Sequence, residues 1–219
     1  VKPIVVKIGG SLVETGRLRE ILAIVARAER PTVIVPGGGP FADAVRNAQA
    51  EFGFADAAAH RMALLAMHQT GILMTEIEPG LLAAETLGAM RSTWKERRVA
   101  VWMPATLCER DKLIPRDWSI TSDGLAARLA ERLGRALVVL VKSRLVERGA
   151  SAATLAREGV VDPVFAEIQA RARLEWAVLG PGEERDLAAM LRASPGVRSA
   201  RRSGRPAKKA AVEASTARR

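Results

Sequence analysis

Lys7, Gly9, Gly10 and Ser11 follow directly on the apolar run Ile4-Val5-Val6, so a short strand delivers an amine and two glycines to one point. Residues of these types can cradle a phosphate. Glycine lets the backbone come close to a bulky anion, with successive N–H groups turned towards its oxygens, and lysine adds a mobile positive charge. Gly37, Gly38 and Gly39 repeat the design after the apolar stretch Thr32-Val33-Ile34-Val35 and before a helical stretch that starts near Phe41. Further along, Thr121-Ser122-Asp123 sets an aspartate at a helix start, and Lys142-Ser143 ends another apolar run. An aspartate so placed can cap the helix, orient a lysine or bind a metal. The two strand–glycine–helix units imply an enzyme that uses a nucleotide.

The elements that must position these residues follow from apolar periodicity. Strands are expected over residues 4–8, 32–35, 99–103, 136–141 and 176–179, and helices over 18–28, 41–50, 55–75, 81–90, 125–133, 163–172 and 183–192. Residues 105–119 read as a polar loop. Strands alternating with helices predict an α/β fold, a three-layer αβα sandwich around a mainly parallel sheet.

Composition narrows the class. The 219 residues are 48% hydrophobic, with a mean hydropathy near that of ordinary globular proteins. No apolar run approaches the roughly 20 residues that span a bilayer, and the chain enters a strand at once, so a cytoplasmic protein without membrane contact is expected. The single Cys108 excludes an internal disulfide and reads as a small buried hydrophobe. The net charge of +10 is unevenly spread: from Arg198 onward eight basic residues face one acid, Glu213. Residues 199–219 lack large apolar side chains and are expected to be a disordered basic tail beyond a single domain over 1–198. Without aromatic residues for stacking, that tail predicts no specific nucleic-acid partner.

Taken together and in order, Lys7-Ile8-Gly9-Gly10-Ser11, Pro36-Gly37-Gly38-Gly39, Thr121-Ser122-Asp123 and the strand ending in Lys142 resemble the amino acid kinase superfamily over about residues 1–192. The stretch His60 to Gly71, the turn Trp118 to Asp123, Val141-Lys142-Ser143 and Val160-Val161-Asp162-Pro163 are similar to its small archaeal-type branch, that of the methanofuran- or methylofuran-biosynthesis kinase acting on an aminomethylfuran-methyl phosphate. The resemblance implies ATP and Mg²⁺ as cofactors. It implies Lys7, Asp123 and Lys142 as catalytic residues and Gly9, Gly10, Ser11, Lys142 and Ser143 on the ATP phosphates. Gly37, Gly38, Gly39, His60 and Ser122 would hold a small phosphorylated acceptor, Mg²⁺ would arrive with ATP and could touch Asp123, and a homodimer or larger oligomer would form. Carboxylate, carbamate or nucleoside monophosphate acceptors are the alternatives, as is a nucleotide or oxyanion binder that has lost catalysis.

Some features depart from the pattern or stand outside it. Ser143-Arg144-Leu145 replaces the usual acidic residue and glycine, and no second glycine-rich segment with a lysine lies between Arg148 and Ala172, so either Lys142 or Arg144 supplies the charge or activity is reduced. His60 and His68 are two helical turns, about 12 Å, apart and cannot share a metal. Met62, Met67 and Met74 read as core or subunit interface, and Arg61 as a second anion partner.

Overall fold

The computed structural model describes residues 2–147 and 149–192; the expected tail and the end of the expected domain lie outside them. Six strands, β1 (Ile4–Ile8), β2 (Thr32–Pro36), β3 (Leu81–Ala84), β4 (Val99–Trp102), β5 (Leu137–Val141) and β6 (Trp176–Leu179), form one sheet in the order β3-β4-β2-β1-β5-β6. Every pairing is parallel. Such a sheet needs cover on both faces, and β1 and β2 are buried at every residue.

Side-chain alternation sorts the strands into two cores. Ile4, Val6 and Ile8 face α1 (Leu18–Ala26) and α9 (Glu184–Leu191), where Leu18, Ile21, Leu22 and Val25 make the apolar stripe of α1. Val5 faces the opposite core, filled by α6 (Ser122–Arg132) and α8 (Pro163–Ala172), with Leu64 and Met67 from α3 (Asp56–Ile77). Lys7 shares the Val5 face, so the period of the strand aims it at the start of α6. The helix α2 (Gly39–Phe52) follows β2 through the second glycine cluster.

Two expectations needed correction. Residues 81–90 are not a helix: Leu81–Ala84 is β3, in register with Val99–Trp102, and α4 (Leu87–Lys95) begins only after Thr86, whose hydroxyl accepts from the Ala89 amide at 3.1 Å. Leucine and alanine favour helix, but pairing along β4 outweighed that weak local preference. The polar stretch 105–119 contains α5 (Ala105–Glu109), whose first amide donates to His68 Nε2 at 3.0 Å. A further short helix, α7 (Ala152–Arg157), is capped by Ser151. Met67 and Met74 lie in the core, as expected, and Met62 is exposed. Cys108 is buried as expected, its thiol pushed up to about 12 by burial and by Asp111.

Candidate active site

The carboxyl ends of β2, β1 and β5 lie side by side at the centre of the sheet. Strands preceding the β1–β5 boundary in that order come from the first half of the chain and those beyond it from the second, which makes this a switch point of the kind where open parallel sheets bind ligands. Lys7, one residue from the end of β1, pairs in register with Val35 and Leu140.

Asp123 lies in the first turn of α6, buried, with one lysine on each oxygen. Lys7 Nζ is 3.0 Å from Oδ1, and Lys142 Nζ donates to Oδ2 at 2.7 Å and to the Val160 carbonyl at 2.7 Å. Burial alone would raise the Asp123 carboxyl, but the two lysines hold it below the usual carboxylate range. Lys142 is pushed down to about 8 by burial and by Lys7 beside it, against the pull of Asp123. Asp123 is therefore no helix cap; the Thr121 N-cap makes no side-chain capping bond.

A residue that sequence reasoning gave no role, Asp162, fixes where α6 begins. Its Oδ2 accepts from the Thr121 amide at 2.9 Å, the Thr121 hydroxyl at 2.7 Å and the Gly124 amide at 2.8 Å, while Oδ1 accepts from Phe165 N at 2.7 Å as the cap of α8. A Cβ on Gly124 would stand 2.6 Å from Asp162 Oδ1, so only glycine admits the carboxylate here. Burial and the nearby Asp123 raise the Asp162 carboxyl, opposed by these donors.

The two glycine clusters meet each other. Gly37 N donates to Ile8 O at 2.8 Å and Gly9 N to Val141 O at 3.1 Å, so neither of these amides is free for a ligand. Gly9 thus acts through its backbone position at the strand end. Ser11 and Ser143 hydroxyls bond at 2.8 Å and tie the first loop to the end of β5. Thr70 Oγ1, on α3, donates to Gly38 O at 3.2 Å and holds the second loop.

Above them opens a cleft of about 280 Å³ lined by Lys7, Gly10, Ser11, Gly37, Gly38, Gly39 and Ser122, and also by Asp43, Arg46, Met67 and Trp118. Arg46 sits over the Trp118 ring, 4.6 Å from its centroid. Gly9, Asp123, Lys142 and Ser143 do not line it, and the two positions expected as anion partners on α3, His60 and Arg61, are turned to other contacts. His60 is buried and lines a separate cavity of about 370 Å³ with Cys108 and Arg116; burial pushes its pKa down, against a hydrogen bond with the Asp117 backbone. Arg61 pairs with Glu109 at 3.2 Å. Of the two candidates for the missing charge, Lys142 turns inward and Arg144 is exposed.

Asp123 does not fit as a metal ligand, because both its oxygens already face ammonium groups. Among the described residues no group of three His, Cys, Asp or Glu side chains could hold a metal ion.

Comparison with known proteins agrees with this architecture. The model of the amino acid kinase family matches residues 2–93. The [5-(aminomethyl)furan-3-yl]methyl phosphate kinase of Methanocaldococcus jannaschii is 28% identical over 132 residues, 59% of this chain and 60% of that protein, so the match spans less than two thirds of the relative's length. Uridylate kinase from Archaeoglobus fulgidus superposes with a TM-score of 0.64 at 18% identity, covering 87% of this chain and 95% of that one. Carbamate kinase from Giardia lamblia bound to AMP-PNP gives 0.57 at 12% identity, covering 87% and 96%. The chain thus has the amino acid kinase fold, and its residues 2–93 match the model of the amino acid kinase family.

Proposed function

We propose that the protein is an ATP-dependent small-molecule kinase that transfers the γ-phosphoryl group to an acceptor already carrying a phosphate, an aminomethylfuran-methyl phosphate, and so forms its diphosphate. The observation that carries this reading is the buried Lys7–Asp123–Lys142 arrangement at the joined ends of β1, α6 and β5. Phosphoryl transfer asks little covalent chemistry of a protein. It asks that two anions be held in line and that the charge spreading over the transferred group be neutralised.

Each residue has a part in that. Lys7 reaches the cleft and supplies positive charge where the transferred group passes. Asp123 fixes its ammonium in place, and Lys142, behind Asp123, keeps that carboxylate ionised. Gly10 and Ser11 line the donor side and Gly37 to Gly39 with Ser122 the acceptor side. ATP would supply the phosphoryl group when bound, and Mg²⁺ would come with it, since both oxygens of Asp123 face ammonium groups.

A phosphate acceptor also suits what the cleft lacks. A hydroxyl acceptor needs a base to take its proton, whereas a phosphate with a second pKa of about 6 arrives ionised. Neither His60 nor His68 lines the cleft, and the carboxylate that does, Asp43, is paired with Arg46. The name of the curated relative points to the same acceptor class.

A homo-oligomer of at least two copies belongs to this proposal. Met62, Leu65 and Ile72, at 40%, 50% and 55% exposure, stand on one face of α3. No helix among the described residues is long and apolar enough to cross a membrane, in keeping with the cytoplasmic setting proposed.

The function is tested by measuring ADP release with aminomethylfuran-methyl phosphate, UMP, acetylglutamate and carbamate in turn. Turnover with the furan phosphate is expected. Tight ATP binding without turnover of any acceptor would favour a nucleotide binder instead.

A further inference from the structure

The acceptor half of the cleft contains a carboxylate that an anion-binding site does not need. Asp43 and Arg46 lie one turn apart on α2, both line the cleft, and Arg46 Nη1 is 2.7 Å from Asp43 Oδ1. Arg46 in turn covers the Trp118 ring. That ring is held in one orientation: Trp118 Nε1 donates to Gln49 Oε1 at 2.6 Å, and Gln49 Nε2 donates to Asp56 Oδ1 at 2.7 Å and to Phe54 O at 3.1 Å. The result is an aromatic plate with a cation upon it and an anion beside the cation.

We propose that Asp43 determines acceptor specificity by pairing with a positively charged group on the acceptor, so that the cleft takes a phosphorylated ring that also bears an amine. The inference rests on the kinase reading above and assigns the residue that would distinguish its acceptor from others. An acceptor with negative charge alone has to draw Arg46 away from Asp43, and the carboxylate left behind repels it. An acceptor with both a phosphate and an ammonium exchanges partners without that cost, phosphate for Arg46 and ammonium for Asp43. Its ring would replace water against Trp118 and Met67, the apolar part of the lining. Asp43 thereby works against nucleotides and simple carboxylates as much as for the amine, which is how discrimination is often built.

The side chain of Asp43 is 65% exposed, so solvent screens the pairing and the effect is of moderate size. Initial rates with saturating ATP are to be compared for aminomethylfuran-methyl phosphate and for the analogue with methyl in place of aminomethyl. The wild-type chain is expected to prefer the amine by about fivefold in kcat/KM, mostly through KM. Asp43→Asn should abolish that preference and Asp43→Glu should restore part of it, whereas Arg46→Gln should weaken both acceptors alike. Turnover of both by the wild-type chain without preference, or a preference that survives in Asp43→Asn, overturns the inference and leaves the kinase reading standing. No turnover of either acceptor overturns the furan phosphate reading and the inference with it.

Discussion

Gly10 and Gly37 stand backbone against backbone: a Cβ on Gly37 would lie 2.3 Å from the Gly10 nitrogen, and one on Gly10 would lie 2.1 Å from the Gly39 nitrogen. The glycines are required first by each other. On the proposed function their contact would set the distance between the donor and acceptor sides of the cleft, so residues that permit the fold would also align the two anions.

Gly37→Ala should therefore damage both stability and rate. The added methyl meets backbone that cannot rotate away, an overpacking cost of about 1–3 kcal/mol. Thermal unfolding should show the loss, and kcat should fall by about a hundredfold as the loops part. A variant with full activity would show that the loop contact does not set the geometry.

Asp162→Ala should be among the most destabilising substitutions in the chain. It removes the acceptor of three amides and a hydroxyl that are buried or partly buried, each costing about 1–3 kcal/mol when left unpaired. Because α6 carries Asp123, kcat should fall as well. Asp162→Asn, which keeps one acceptor oxygen, should recover part of the stability in denaturant unfolding. Equal losses in the two variants would contradict the assigned role.

The pH response of Lys142 should separate activity from stability. Its pKa in the fold is lowered to about 8 from 10.5. Between these values the unfolded chain holds a proton that the folded chain has released, so this group's contribution to stability rises with pH across that window. Catalysis, which uses the charged form, should fall above pH of about 8. Lys142→Arg keeps its charge and should move that limb upward. An identical alkaline limb in Lys142→Arg would assign it to another group.

The order of elements was legible because β1, β2 and β5 are apolar except at Lys7 and Thr32 and α1 shows a clean apolar stripe. Lys7 and Asp123 were legible as well, each standing at the end or start of an element whose boundary the sequence marks. What was not legible depends on contacts between distant residues. Trp118 meets Gln49 across 69 positions and Asp162 meets Thr121 across 41, and nothing local announces either bond. Leu81–Ala84 became a strand only through its partner β4. His60 carried the opposite lesson: its chemistry suggested a ligand contact, yet the turn of α3 buries it away from the cleft.

The central claim is that Lys7, held 3.0 Å from Asp123, neutralises charge on the transferred phosphoryl group. Steady-state kinetics of Lys7→Ala with ATP and aminomethylfuran-methyl phosphate tests it most directly. A loss of about a hundredfold or more in kcat, with the fold retained by circular dichroism, is the predicted result. An unchanged kcat in a folded Lys7→Ala chain would contradict the account.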